Sequence, residues 1–89
     1  MQIDFTVHIC KEGNQFIAHA MPLDVASSGA TPEAARQALD EAVKLFIDTA
    51  TEHGSLVDVL EESGYEQVAE QWQSPAWVAV ERRSAVVQT

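Results

Sequence analysis

From Thr31 to Gly54 the chain carries an apolar stripe at helical spacing, and a segment this long and one-sided decides what the remainder must supply. Thr31 suits an N-cap, Pro32 the first helical position, and Glu33 the positive end of the helix dipole. Gly54 suits the left-handed residue that follows a helix ending at about His53. At about 100° per residue, Ala35, Ala38, Leu39, Ala42, Val43, Phe46 and Ala50 share one side. Glu33, Gln37, Asp40, Glu41, Lys44 and Asp48 fall opposite, with Asp40 and Lys44 spaced for an i,i+4 pair. Burying that stripe is worth roughly 10 kcal/mol at about 25 cal/mol per Å², well short of the conformational entropy the whole chain gives up. The helix needs a sheet to lie on.

The residues before it supply one. From residue 2 to 11 the chain alternates, with Ile3, Phe5, Val7 and Ile9 on one side and Asp4, Thr6, His8 and Cys10 on the other. Gly13-Asn14 signals a hairpin, and residues 15 to 21 place Phe16, Ala18 and Ala20 on one face and Ile17, His19 and Met21 on the other. A two-residue loop sets Ile9 opposite Ala18, Val7 opposite Ala20 and His8 opposite His19. Pro22 closes the second strand, and residues 24 to 28 read as a third strand bounded by Gly29. The inward alanines leave room for a helix to lie close.

After Gly54, Ser55 and Asp58 resemble a capping box opening a short helix that Gly64 ends, with Leu56, Val57, Val59 and Leu60 between. Two Trp residues flank Ser74-Pro75, and the β-like tract beginning near Trp77 predicts a final strand. The expected architecture is thus α+β: a three-stranded antiparallel meander packed by one long helix, then a short helix and a fourth strand.

Length fits a single domain over residues 1–89, with residues 65–89 as a C-terminal extension. The lone Cys10 rules out an internal disulfide framework, and neither a leader pattern nor a long apolar run appears, so the reading expects a cytoplasmic protein away from membranes. Fourteen acidic against five basic residues give a net charge of -9, which opposes direct contact with nucleic acid phosphates and favours a basic partner. Cys10, Ile17 and Met21 make the sheet face away from the helix too apolar for free solvation, and the third strand is a plain edge. Both features predict a homodimer or larger even assembly. His8, Cys10 and His19 share that face and include zinc-ligand types, but they fall one short of a four-ligand structural site. The greasy neighbours favour an interface, and no metal or other cofactor is assigned.

Phe5, the turn at Gly13, Phe16-Ile17-Ala18, the run Leu23 to Gly29, Thr31-Pro32-Glu33-Ala34-Ala35 and Leu39 together resemble the HicB-like antitoxin family. The resemblance covers roughly residues 3 to 64 and is most specific from Ser28 to Leu39. It implies a partly degraded ribonuclease H-like fold, with the last strand beside and parallel to the first and the third strand at an edge. It also implies antitoxin activity in a toxin-antitoxin pair, with a small ribonuclease toxin of the HicA type as partner. Where many two-domain members have Gly-Cys in the third strand this chain has Asp24-Val25, which is similar to the stand-alone members and implies no DNA-binding domain.

An active ribonuclease H-like site needs carboxylates converging on two metal ions. Asp4 alternates away from the helix side, while Glu33, Asp40 and Glu41 lie on the polar stripe, so these acids are not positioned to converge, and no catalytic residue is assigned. The sequence therefore reads as a non-catalytic protein-binding module in which Asp24, Glu33, Asp40 and Glu41 meet the basic surface of a toxin. The alternatives are an orphan regulator or scaffold without a toxin, and a metal-dependent nuclease remnant.

Overall fold

In the computed structural model, which describes residues 1–88, the chain opens with a two-residue strand, β1 (Gln2–Ile3), and breaks at Asp4 and Phe5 before β2 (Thr6–Glu12). The expected single strand is split because its hairpin partner, β3 (Gln15–Met21), ends at Met21 opposite Thr6. Earlier residues must find backbone partners elsewhere. Gly13, at a left-handed φ of +60°, makes the turn, and the register has Ile9 opposite Ala18, Val7 opposite Ala20 and His8 opposite His19, as the two-residue loop requires. The meander continues into β4 (Val25–Gly29), antiparallel to β3. Asp24 lies outside this strand rather than beginning it, because it adopts a φ of +62° and its N–H closes a turn onto the Ala20 carbonyl at 2.8 Å.

Helix α1 (Pro32–Glu52) forms as its caps specify. The Thr31 hydroxyl accepts from the Ala34 N–H at 3.0 Å, His53 is the C-cap, and Gly54 follows at φ +69°. Ala35, Leu39, Val43 and Ala50 are buried and the opposite stripe is exposed. The helix lies over β3 and β4, so Ala18 and Ala20 are sealed beneath it, while Val7 on the outer strand β2 stays 39% exposed. The anticipated Asp40–Lys44 pair does not form, because Lys44 turns instead to Asp48 at 3.0 Å, one turn further on.

Helix α2 (Leu56–Glu62) buries Leu56 and Leu60 against the same core. Its capping box is absent: Ser55 sits at φ −107°, ψ 2°, outside the extended conformation a cap needs, and its hydroxyl donates back to the Ala50 carbonyl at 3.3 Å. Two short strands follow, β5 (Glu66–Val68) and β6 (Gln71–Gln73), antiparallel to each other. β6 pairs parallel with β1, Ile3 facing Trp72, so a second sheet of order β1-β6-β5 stands beside the meander β2-β3-β4. A strand does lie beside and parallel to the first, and β4 is left at an edge, but the pairing residues are 71–73. The tract from Trp77 onward, where a final strand was expected, pairs with nothing among the described residues. The core gathers residues from both sheets and both helices, Leu23, Tyr65 and Trp72 included. No described helix is long and apolar enough to cross a membrane.

Candidate protein-binding surface

The outward side of α1 sets Glu33 and Asp40 two turns apart on one line, about 10 Å along the axis, with Glu41 beside Asp40. All three are exposed, and among the described residues Asp40 and Glu41 have no ion-pair partner. Glu33 faces Arg36 at 3.5 Å in a solvent-exposed i,i+3 pair. The stripe is an acidic ridge carried on a rigid helix.

Asp24 is not part of that ridge. It precedes Val25, which packs near Phe46 and Ala50 in the second half of α1, whereas Glu33 sits at the helix start, beyond the opposite end of β4. Its Oδ1 lies 2.6 Å from His19 Nε2, so when His19 is protonated its charge is locally matched. Three of the four acids expected to bind a partner are brought together and the fourth is engaged across the β3–β4 turn.

On the sheet face away from α1, Cys10 is exposed and Ile17, His19 and Met21 are half-buried. His8 packs its ring on Trp77 with centroids 5.0 Å apart, and Trp77 Nε1 donates to Thr6 Oγ1 at 2.7 Å. Pro75, Ala76 and Trp77 line a small cavity with Met21 and Pro22. The chain's own C-terminal segment thus covers one corner of the face assigned to self-association, leaving Cys10 open. Among the described residues no three His, Cys, Asp or Glu side chains are grouped to hold a metal ion.

Sequence reasoning missed what fixes that segment. Asp4 Oδ1 accepts from the Ser74 hydroxyl at 2.6 Å and from the Ser74 N–H at 2.7 Å, while the Tyr65 hydroxyl donates to the Asp4 carbonyl at 2.6 Å. The Ser74 hydroxyl and then its N–H hold the Asp4 carboxyl below its ordinary value, and burial followed by the nearby Asp4 charge pushes the Tyr65 hydroxyl up to about 12. The available signal was the pair of Trp residues bracketing Ser74-Pro75, which marks a buried anchor as readily as a strand. Because Tyr65 ionises at about 12 when folded and near 10.0 when not, its contribution is complete below pH 10 and is lost as pH rises from there through 12. Absorbance titration of this sole tyrosine, run beside urea unfolding, is expected to show both, and Tyr65→Phe should flatten the alkaline decline while weakening the fold by about 1 kcal/mol. A tyrosine titrating near 10 in the folded chain would refute the assignment.

A further feature escaped the sequence. The second half of α1, α2 and Val25 of β4 enclose an apolar groove of about 510 Å³, lined by Leu45, Phe46, Ala50 and Val59 among others. Leu45, on its rim, is 67% exposed.

No family model, curated protein or solved structure matches this chain.

Proposed function

We propose that this chain is a non-catalytic protein-binding module, similar to stand-alone HicB-like antitoxins, that masks a small basic ribonuclease of the HicA type. The observation that carries the reading is the acidic ridge Glu33, Asp40 and Glu41 on the exposed side of α1. A toxin that grips RNA must present Lys and Arg, and a fixed acidic ridge can occupy such a surface by charge complementarity, which raises association rate and specificity more than raw affinity. The order meander, long helix, then a strand parallel to β1 is compatible with the degraded ribonuclease H-like fold of that family. Asp24 would add to the contact from the β3–β4 turn, with Cys10, Ile17 and Met21 serving self-association on the opposite face. Asp4 is held by Ser74 while the α1 acids point to solvent, which favours binding over metal-dependent cleavage.

With a HicA-like protein encoded beside this chain, Asp40→Lys combined with Glu41→Lys is expected to slow association about tenfold at low salt and to leave thermal unfolding nearly unchanged. Stopped-flow mixing over a salt series reads both. Unaltered association in that variant, or no binding by any adjacent small basic protein, would leave an orphan regulator as the better reading. RNA cleavage with magnesium that Asp4→Ala abolishes would instead favour the nuclease remnant.

A further inference from the structure

Beyond Trp77 the chain forms no helix or strand among the described residues and holds its apolar side chains in water: Val78 is 98% exposed, Val80 73%, Val86 94% and Val87 80%. Paired as a strand, such a tract would alternate its side chains, which puts Val78, Val80 and Val86 on the side opposite Trp77. The dimensions record the same excess. A folded monomer of this mass exposes about 5,100 Å², whereas this chain exposes 6809 Å². Its radius of gyration is 15.4 Å, against about 12 Å for a closed domain of this length. The surplus of roughly 1,700 Å² is about twice the ~800 Å² that each partner gives to a standard protein interface.

Two open features lie elsewhere on the molecule. β4 pairs only with β3 among the described residues, leaving a row of backbone groups free on its outer edge. The apolar groove under Leu45 and Phe46 opens beside the same strand, at Val25. Charge distinguishes the two parts as well. Residues 1–73 hold thirteen acids and three bases, whereas the arm holds Glu81 with Arg82 and Arg83. Helix α2, one wall of the groove, carries Asp58, Glu61 and Glu62 and no base.

We infer that the C-terminal arm, residues 78–87, docks on a second copy of this chain, adding a strand along the free edge of β4 and lodging its valines in the groove beneath Leu45 and Phe46. Main-chain hydrogen bonds to β4 supply affinity, the valine side fills the groove, and Arg82 and Arg83 meet the acidic helices that wall it. Ten residues of extended chain reach about 33 Å, more than the 23 Å thickness of the molecule. An arm anchored by Trp77 on one face can therefore cross to a neighbour packed alongside. Reciprocal exchange closes the assembly at two copies, since each chain offers one arm and one groove. The inference needs no toxin, and it seats self-association on the arm and the β4 edge in place of the Cys10, Ile17 and Met21 face named above.

Sedimentation equilibrium of the full chain at micromolar concentration tests it. The wild-type mass is expected at twice 9.7 kDa, and Val78→Asp with Val80→Asp should weaken association at least tenfold with the circular dichroism spectrum unchanged. Leu45→Glu, on the groove rim, should do the same from the other side of the contact. A monomeric wild-type chain, including one that folds its arm onto its own groove, would overturn the inference. So would a dimer indifferent to the arm variant, and a dimer lost in the arm variant but indifferent to Leu45→Glu would overturn the groove as its seat.

Discussion

Leu39→Ala is expected to lower the unfolding free energy by about 3–4 kcal/mol, a large fraction of what a domain of this size possesses. Leu39 is fully enclosed at 0% exposure, in the middle of the α1 stripe over Ala18 and Ala20, and shares with Leu60 the status of largest wholly buried side chain. Truncation removes the transfer energy of the lost carbons and leaves a hole that the surrounding alanines cannot fill, because a methyl group has no rotamers with which to reach inward. In urea, where a small domain loses about 1 kcal/mol per molar, the midpoint should fall by roughly 3 M. Leu45→Ala is the control: at 67% exposure it should move stability by under about 0.5 kcal/mol. Equal effects at the two positions would mean that the helix face has been assigned backwards.

Gly29→Val should be comparably damaging for the opposite reason, overpacking. A Cβ on Gly29 would lie 2.6 Å from the Ala35 nitrogen and 2.7 Å from the Ala34 carbonyl carbon, both backbone atoms in the first turn of α1. Backbone cannot step aside as a flexible side chain does, so the helix start must lift from β4 and disturb the Thr31 cap with it. The expected loss is about 3 kcal/mol, or roughly 12–24 °C in melting temperature for a domain this small. Ser28→Ala, one residue earlier and exposed, should be nearly silent. A melting temperature within a few degrees of wild type for Gly29→Val would show that α1 does not approach the strand this closely.

Periodicity carried the reading of the chain through α1, the glycines and apolar residues around it marked the short helix α2, and neither had purchase on the residues beyond Gly64. The hairpin register and α1 were legible because alternation over seven-residue strands and one apolar stripe over a 21-residue helix leave a single consistent arrangement. β5 and β6 have three residues each, too few to show a period, and β6, besides its local pairing with β5, is partnered by β1, some seventy positions away. Trp77 looked like the start of a strand because aromatic and β-branched residues follow it. Its actual constraint, a hydrogen bond to Thr6 and a ring packed on His8, is a tertiary fact that no local pattern encodes. The same holds for Asp24, whose left-handed backbone removes it from β4, and for Ser55, whose hydroxyl is drawn to Ala50. The acidic ridge on α1 followed from the helical stripe, whereas the groove beside it depends on how α2 folds back and was invisible beforehand.

The bonds between Asp4 and Ser74 join residues 70 positions apart. Bringing such distant points together carries a loop-closure entropy of about 4 kcal/mol, against about 1 kcal/mol for the hairpin turn. The meander and α1 can therefore assemble from neighbouring segments, with the small sheet as a late clasp over a body that already exists. The clasp also fixes where the arm departs: Asp4 holds Ser74, and Thr6 and His8 hold Trp77, so the unpaired residues beyond Trp77 leave the molecule from a defined point.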